Sequence, residues 1–122
     1  MKTDPQRRYR AGVWAERAAG IVFMLKGYQI LAHRFKSPVG EVDLIARRGG
    51  RLVFVEVKFR QSLDEAVFSL TSHQKRRIVR AARFWMAQQR DDRAYEVSFD
   101  VMLFAPWRLP RHISHAFEDD FG

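Results

Sequence analysis

The chain has 122 residues and a formal net charge of +8, from 22 Lys and Arg against 14 Asp and Glu. That length suits one domain with its own hydrophobic core, and the lack of cysteine excludes disulfides and thiolate metal sites. The longest mostly apolar stretch, 18–25, is too short to span a bilayer, and the N-terminus has no apolar signal core. We therefore expect a cytoplasmic protein. The charge favours a nucleic-acid partner, and it would also suit attraction to an anionic membrane surface.

The first half of the chain predicts one helix and three strands. Residues 1–10 are polar and basic, and we expect a flexible N-terminus there, ahead of a single domain at 11–122. Apolar residues at helical spacing predict a helix from Ala11 to about Lys26, which Gly27 ends. The predicted strands follow at 28–35, 41–48 and 51–60.

The second half predicts one helix and one or two strands. The elements are a connector at 61–70, a helix at about 71–90, a strand at 95–104 and a last short strand at 112–117. Thr71 and Gln74 have the spacing of a capping box at the helix start. The order αβββαββ predicts an α/β fold, with a mixed β-sheet of about five strands flanked by helices.

The central hairpin carries charged residues inside apolar runs. If Gly49-Gly50 form a two-residue turn, residues pair across the hairpin when their numbers sum to 99. Asp43 then faces Glu56, Glu41 faces Lys58, and the two carboxylates share a face with Lys58. The opposite face is a predicted core face of apolar residues: Val42, Leu44, Ala46, Val53, Val55, Val57 and Phe59.

Two facing carboxylates would destabilise a hairpin that has only a structural role. Their repulsion at about 4 Å is about 1 kcal/mol in water and about 4 kcal/mol near a protein surface. A divalent cation between the two carboxylates makes the net interaction attractive, because Mg²⁺ prefers hard oxygen ligands. Lys58 could then stabilise charge on a phosphate. The alternative is an ion network in which an arginine neutralises Asp43 and Lys58 neutralises Glu56.

These motifs resemble those of a known nuclease superfamily. "GEVDLI" and "FVEVKFR" are similar to the D…E-x-K core of the PD-(D/E)xK nucleases, with Val42 in place of the proline in that name. The chain more closely resembles the bacterial YraN family, which is similar to archaeal Holliday-junction resolvases. The resemblance extends from "WAERAAG" through "KRRIVRAARFWM" and "FDVMLF" to "HAF". It implies a restriction-endonuclease-like core.

The resemblance also implies roles for individual residues. Asp43 and Glu56 would be ligands of Mg²⁺ or Mn²⁺, the Val57 backbone carbonyl would be a further ligand, and Lys58 would be the catalytic lysine. Glu16 matches the N-terminal acidic residue of such nucleases. Small helical neighbours of Glu16, among them Gly12, Ala19 and Gly20, would let the helix approach the sheet closely and bring Glu16 to the carboxylate pair. Without the resemblance, an exposed helix glutamate would be the favoured interpretation.

The predicted second helix has a basic side. Arg76, Arg80 and Arg83 lie roughly opposite the apolar side, and a line of like charges favours contact with a phosphate backbone. A solvated basic face is nearly as good an interpretation. By the resemblance, Gln74 and Lys75 at the helix start could instead reach the active site.

The remaining candidates receive structural interpretations. Asp100 is expected on the polar face of its strand, capping or pairing with an arginine, and His112 and His115 lack partners at zinc spacing. Glu41 either joins the acidic site or pairs with Lys58 or an arginine. Tyr9 and Trp107, in basic loops, could stack on bases, but nothing in the sequence singles them out.

The leading hypothesis is a Mg²⁺- or Mn²⁺-dependent endonuclease that hydrolyses DNA phosphodiesters, with branched DNA as a substrate implied by resemblance alone. The second is a nucleic-acid-binding module of the same fold that does not cleave. The third is a basic protein-interaction domain with ion pairs on its sheet. Junction resolution would require a homodimer.

Overall fold

The structure is a computed structural model that describes residues 5–64, 70–90 and 93–119, with side chains from residue 12 onward. Residues 1–4 of the expected flexible N-terminus lie outside the described residues. So do the middle of the connector at 65–69, the predicted break at 91 and 92, and the end of the acidic tail.

The elements follow the predicted order. They are α1 Pro5–Leu25, β1 Gln29–Ser37, β2 Gly40–Arg48, β3 Arg51–Phe59, α2 Ser72–Gln88, β4 Glu96–Phe104 and β5 Arg111–Phe117. α1 begins six residues before the expected Ala11, at a proline, which is favoured at the first helical position. The capping box is present: the Thr71 hydroxyl accepts from the Gln74 N–H at 3.1 Å, and the Gln74 side chain accepts from the Thr71 N–H at 2.9 Å.

The five strands form one mixed sheet in the order β1-β2-β3-β4-β5. Every neighbouring pair is antiparallel except β3 and β4, which are parallel and joined through α2. α1 packs on one face of the sheet and α2 on the other. Because β3 is central and covered on both sides, Leu52–Val55 are all buried, so the strict alternation expected of a half-exposed strand is absent.

The two sides of the hairpin belong to different parts of the core. Leu44, Ala46, Val53 and Val55 contact the α1 side, as the register predicted. The residues that alternate with them are also buried, against α2: Ile45, Leu52 and Phe54. Val42 packs with this α2 group, so its prediction on the same core face as Leu44 is wrong.

The hairpin register is confirmed from Arg48–Arg51 to Leu44–Val55. There the β2–β3 ladder ends, one pair before the expected pairing of Asp43 with Glu56. β2 stays paired with β1, so Glu41 lies opposite Lys36, and its predicted pairing with Lys58 is wrong.

Gly40 gives a physical reason for this path of β2. A Cβ atom built on Gly40 would lie 2.0 Å from the carbonyl oxygen of Arg77, so only glycine lets the start of β2 pack so closely on α2. In the described part of the chain, neither helix combines the length and apolar character needed to cross a bilayer.

Candidate active site

Beyond the end of the β2–β3 ladder, the backbone of β3 faces a side chain of β2 instead of the β2 backbone. The Val57 N–H donates to Asp43 Oδ2 at 2.8 Å, so a carboxylate replaces the backbone acceptor that β2 would otherwise supply. The N–H and C=O of one residue in a strand point toward the same neighbour. The Val57 carbonyl therefore points toward the same opening as Asp43.

Glu56 and Lys58 complete a compact charged group at this opening. The Glu56 carboxyl forms a hydrogen bond with the Asp43 carboxylate. The Lys58 Nζ lies 3.4 Å from Glu56 Oε1, and the Lys58 and Glu56 side chains are only 12% and 16% exposed. The structure thus brings Asp43, Glu56 and Lys58 together without the ladder pairing that the sequence predicted.

The surroundings of both carboxyl groups raise their pKa values. Burial raises the pKa of Glu56 to about 8, and the charge of Asp43 adds to this effect while Lys58 opposes it. Burial also raises the pKa of Asp43, although the Val57 N–H and the Glu56 hydrogen bond partly offset the effect. Near neutral pH Glu56 is therefore protonated, and its O–H donates a hydrogen bond to the Asp43 carboxylate. A divalent cation could replace that proton.

Glu16 faces this group from α1. Burial, and next the charge of Asp43, raises the pKa of Glu16, and its carboxylate forms an ion pair with Arg34 Nε at 3.3 Å. Arg34 has a left-handed φ of +50°, which is uncommon for a residue with a side chain. Ala19 is fully buried, and a Cβ on Gly20 would lie 3.0 Å from the His33 ring, so α1 does approach the sheet closely.

A cleft of about 220 Å³ separates Glu16 from β2. Its lining residues are Glu16, Arg34, Phe35, Lys36, Glu41, Val42 and Asp43. Among residues 12–64, 70–90 and 93–119, no three His, Cys, Asp or Glu side chains are grouped closely enough to hold a metal ion together. Glu16 is thus near Asp43 but separate from the pair that Asp43 forms with Glu56.

The donors present nonetheless suit a hard divalent cation. The Asp43 and Glu56 carboxylates and the Val57 carbonyl are all oxygen ligands, as Mg²⁺ and Mn²⁺ prefer. Mg²⁺ commonly takes one or two carboxylates from a protein and completes its shell with waters and phosphate oxygens. A third clustered carboxylate is therefore not required for the donor set to fit.

Comparison with known sequences assigns the chain to a family. Residues 15–104 match the model of the uncharacterised protein family UPF0102. The chain belongs to this family. UPF0102 proteins of Nitrobacter winogradskyi and Bradyrhizobium diazoefficiens are 48% identical over 110 residues and 46% identical over 117 residues. The first alignment covers 90% of this chain and 93% of the relative. The second covers 94% of this chain and 88% of the relative. The expected YraN membership is confirmed, since UPF0102 is that family.

A solved structure shares the fold of this UPF0102 protein. It is Hjc of Archaeoglobus fulgidus, described as a Holliday junction resolvase, with a TM-score of 0.61 and 21% sequence identity. The match covers 85% of this chain and 77% of Hjc. The predicted resolvase-like nuclease fold is confirmed. At this level of identity, the likeness shows the fold alone.

The α2 residues predicted to contact nucleic acid have different surroundings in this UPF0102 protein. Arg76 and Arg80 are exposed, and Arg83 is exposed but forms an ion pair with Asp119, its Nε lying 3.0 Å from Oδ2. The Gln74 side-chain oxygen accepts the capping-box hydrogen bond. Lys75 Nζ lies 6.0 Å above the centre of the Phe117 ring.

Asp100 is a further acidic group, fully buried, and it does not pair with the arginine that the sequence predicted. It is 0% exposed, and its carboxylate accepts hydrogen bonds from the Ser98 hydroxyl, from His112 Nε2 at 2.6 Å and from the His115 N–H at 3.2 Å. Its partner is a histidine and not an arginine. Lys26 Nζ donates to His112 Nδ1 at 2.8 Å, which leaves the proton on Nε2 for Asp100.

The Asp100 pKa reflects these contacts. Burial alone would raise it, but the hydrogen bonds from His112, Ser98 and the His115 N–H together lower the pKa below its usual value. The contact of the Phe23 ring with His112, 4.7 Å between ring centres, places this network beneath α1. Alternation along β4 correctly groups Asp100 with Ser98, but it cannot show that a helix covers that side.

Proposed function

We propose that this protein is a Mg²⁺- or Mn²⁺-dependent endonuclease that hydrolyses DNA phosphodiesters. One observation carries the proposal: the partly buried Asp43–Glu56 pair, with raised pKa values, lies beside Lys58 where the β2–β3 ladder ends. Strongly perturbed carboxyl groups at a polar opening are typical of functional sites. The fold shared with Hjc supports the same reaction class by analogy.

Each residue of the site has a distinct role in this proposal. Asp43, Glu56 and the Val57 carbonyl would hold the divalent ion, which supplies an activated water and offsets negative charge at the phosphate. Lys58, fixed by Glu56 at 3.4 Å, places its ammonium where it can stabilise charge on the transferred phosphate. Glu16 would supply a further carboxylate across the cleft from Asp43, and this carboxylate pairs with Arg34 Nε at 3.3 Å.

The basic surface supplies the affinity for DNA. The chain carries a net charge of +8, and Arg76 and Arg80 are exposed along α2. Arginines that neutralise phosphates release condensed counterions and favour binding to any sequence. Branched DNA is the substrate that the likeness to Hjc favours, and symmetric cleavage of a junction would require a homodimer with two such sites.

A second candidate function is a nucleic-acid-binding module that does not cleave. It is favoured by the two internal ion pairs of the site, Lys58 with Glu56 and Arg34 with Glu16, which reduce the need for a cation. The separation of Glu16 from the Asp43–Glu56 pair points the same way. Both functions would use the same basic surface.

Cleavage assays distinguish the two functions. Wild type, Lys58→Ala and Asp43→Asn would be incubated with linear, flapped, single-stranded and four-way DNA in Mg²⁺, Mn²⁺ or EDTA. We expect metal-dependent cutting by wild type, a rate about 10²–10³ lower for Lys58→Ala, and none for Asp43→Asn despite retained DNA binding. Arg90→Ala, at an exposed residue just beyond the end of α2, also removes one positive charge and should cut like wild type.

Two results of the cleavage assay would contradict the endonuclease proposal. Wild type that binds DNA without cutting any substrate would favour the binding module. Equal cutting by wild type and Lys58→Ala would mean that Lys58 is not catalytic or that the activity belongs to a contaminant.

Metal binding can be measured without cleavage. At pH 8, Mg²⁺ at ten times its Kd should stabilise wild type by about 1.4 kcal/mol, because the ion binds only the folded state. Thermal melting with and without Mg²⁺ measures this, and Asp43→Asn should lose the effect. An equal shift in both proteins would place the ion elsewhere.

A further inference from the structure

The loop between β4 and β5 presents an apolar side chain that the fold does not use. Trp107 is 101% exposed and Leu109 is 87% exposed. A tryptophan has much to gain from burial, so a fully exposed one is informative where a scattered surface leucine is not.

The backbone holds Trp107 outward. The Arg108 N–H donates to the Ala105 carbonyl at 3.3 Å, which closes a turn with Pro106 and Trp107 at its two corners. Trp107 has a φ of +61°, the conformation that the second corner of a type II turn requires and that glycine usually supplies. A bulky side chain in that conformation, without packing to stabilise it, points to a role outside the folding of the chain.

The loop lies at the same end of the sheet as the candidate active site. β3 and β4 are parallel, with Lys58 opposite Leu103, and the Arg60 N–H donates to the Phe104 carbonyl at 2.9 Å. Trp107 follows Leu103 by four residues, so its Cα lies within about 19 Å of the Lys58 Cα. On a DNA strand that distance corresponds to at most about six nucleotides.

The charge around Trp107 suits a polyanion. From Ala105 to Phe117 the chain has no acidic residue, and Arg108 and Arg111 follow the tryptophan within four residues. An aromatic ring with neighbouring arginines matches both parts of a nucleotide, the flat base and the charged phosphate. An anionic membrane would also attract this loop, but its position at the same end of the sheet as Lys58 and Glu56 favours nucleic acid.

We propose that Trp107 is a base-stacking site that takes an unpaired or unstacked nucleobase of the DNA bound at the Asp43–Glu56 site. The inference rests on the proposed function and narrows its substrate. The bases of continuous duplex are stacked on each other and unavailable to an outside ring. Trp107 therefore favours single strands, flaps and junctions, where a base can leave the stack.

Binding measurements in EDTA test the proposal without cleavage. The affinities of wild type, Trp107→Ala and Trp107→Phe would be measured on single-stranded, flapped, four-way and continuous duplex DNA. Trp107→Ala should weaken binding to the first three about tenfold or more and leave duplex binding nearly unchanged. Trp107→Phe should retain most of the affinity, and the salt dependence should not change, because no charge is removed.

Two further variants control for folding and for general apolar contact. Glycine adopts a positive φ without strain, so the Trp107→Gly variant should melt at or above the wild-type temperature. It should lose affinity for DNA with unpaired bases as Trp107→Ala does. Leu109→Ala removes an exposed apolar group from the same loop and should bind like wild type. An equal loss for Leu109→Ala would overturn stacking as the explanation.

Failure of this inference differs from failure of the proposed function. Equal affinity of wild type and Trp107→Ala for DNA with unpaired bases overturns the stacking site alone. Absence of DNA binding by every variant overturns both. Binding to anionic phospholipid vesicles that needs Trp107, with DNA binding unaffected by its loss, would assign the loop to a membrane surface instead.

Discussion

One buried carboxylate and one partly buried pair of carboxyl groups, all on strands of one sheet, have opposite surroundings. Asp100 on β4 accepts hydrogen bonds from Ser98, His112 and the His115 N–H, and its pKa lies below the usual value. Asp43 on β2 and Glu56 on β3 have each other as partners, and their pKa values lie above the usual value. Burial is common to both, so burial alone does not mark a functional carboxylate. The balance between donors and like charges does.

The same contrast recurs among the basic residues of α2. Arg83 has its guanidinium against the Asp119 carboxylate, whereas Arg80, one helical turn earlier, is exposed. A charge that already has a partner in the protein gains less from a ligand. Charges with incomplete partners are therefore the ones we expect to respond to a cation or to DNA.

Removing the Asp100 carboxylate, which accepts several hydrogen bonds, should have the largest effect on stability. Asp100→Ala leaves the Ser98 hydroxyl and His112 without their acceptor, and the His115 N–H keeps only the Ser98 oxygen. We expect this variant to lower the free energy of unfolding by about 3 kcal/mol or more. Asp43→Asn should leave the stability unchanged or raise it, since it removes a charge that burial disfavours and keeps a side-chain oxygen that can accept from the Val57 N–H. Urea denaturation at pH 7 measures both. Similar losses for the two variants would contradict the contrast between the sites.

Neutralising Glu56 should stabilise the protein in a pH-dependent way. The folded pKa of about 8 lies above the usual glutamate value of 4.5, so the folded state keeps a proton that the unfolded chain loses. The resulting stability is fully present below about pH 4.5 and is lost as the pH rises through 8. Glu56→Gln avoids that loss and should be more stable than wild type by about 1–3 kcal/mol at pH 8, with little difference at pH 5.

Thermal or urea unfolding between pH 5 and 8 provides the measurement. Glu118→Gln, at an exposed glutamate, is the matched control and should follow wild type throughout. A difference between Glu56→Gln and wild type that is constant with pH would show that Glu56 is not held protonated by its surroundings.

The smallest effect concerns the arginines of α2. If DNA lies along this helix, Arg80→Ala should reduce the slope of log affinity against log salt by about 0.9, the value of one phosphate contact. Arg83→Ala should reduce it less, because Asp119 already neutralises that charge. DNA-binding titrations at several salt concentrations compare the two. Equal slopes for both variants and wild type would move the DNA path away from α2.

The sequence was sufficient for the order of elements and for the inner part of the hairpin. The Gly49-Gly50 turn fixes pairs locally, and they hold as far as Leu44 with Val55. Beyond that pair the path of β2 depends on the contact between Gly40 and the Arg77 carbonyl, which are far apart in the chain. No local pattern reveals such a contact, so the pairing of Glu41 with Lys58 was wrong.

The errors at Val42 and Asp100 have a related cause. Alternation along a strand tells which side chains share a face, but not which helix covers that face. Val42 packs with the α2 side of the core, and Asp100 lies buried with His112 beneath α1. The proximity of Asp43, Glu56 and Lys58 could be predicted, because all three lie on one local hairpin.

The parallel pairing of β3 with β4 has a consequence for how the chain folds. Glu16, Asp43, Glu56 and Lys58 all belong to the first half of the chain, whose strands form by contacts between sequence neighbours and can assemble early. β4 reaches β3 only after the α2 crossover, and until then one edge of β3 exposes unpaired backbone groups. Such an edge is a template for aggregation. The half that carries the candidate site thus depends on the later half for protection during biosynthesis.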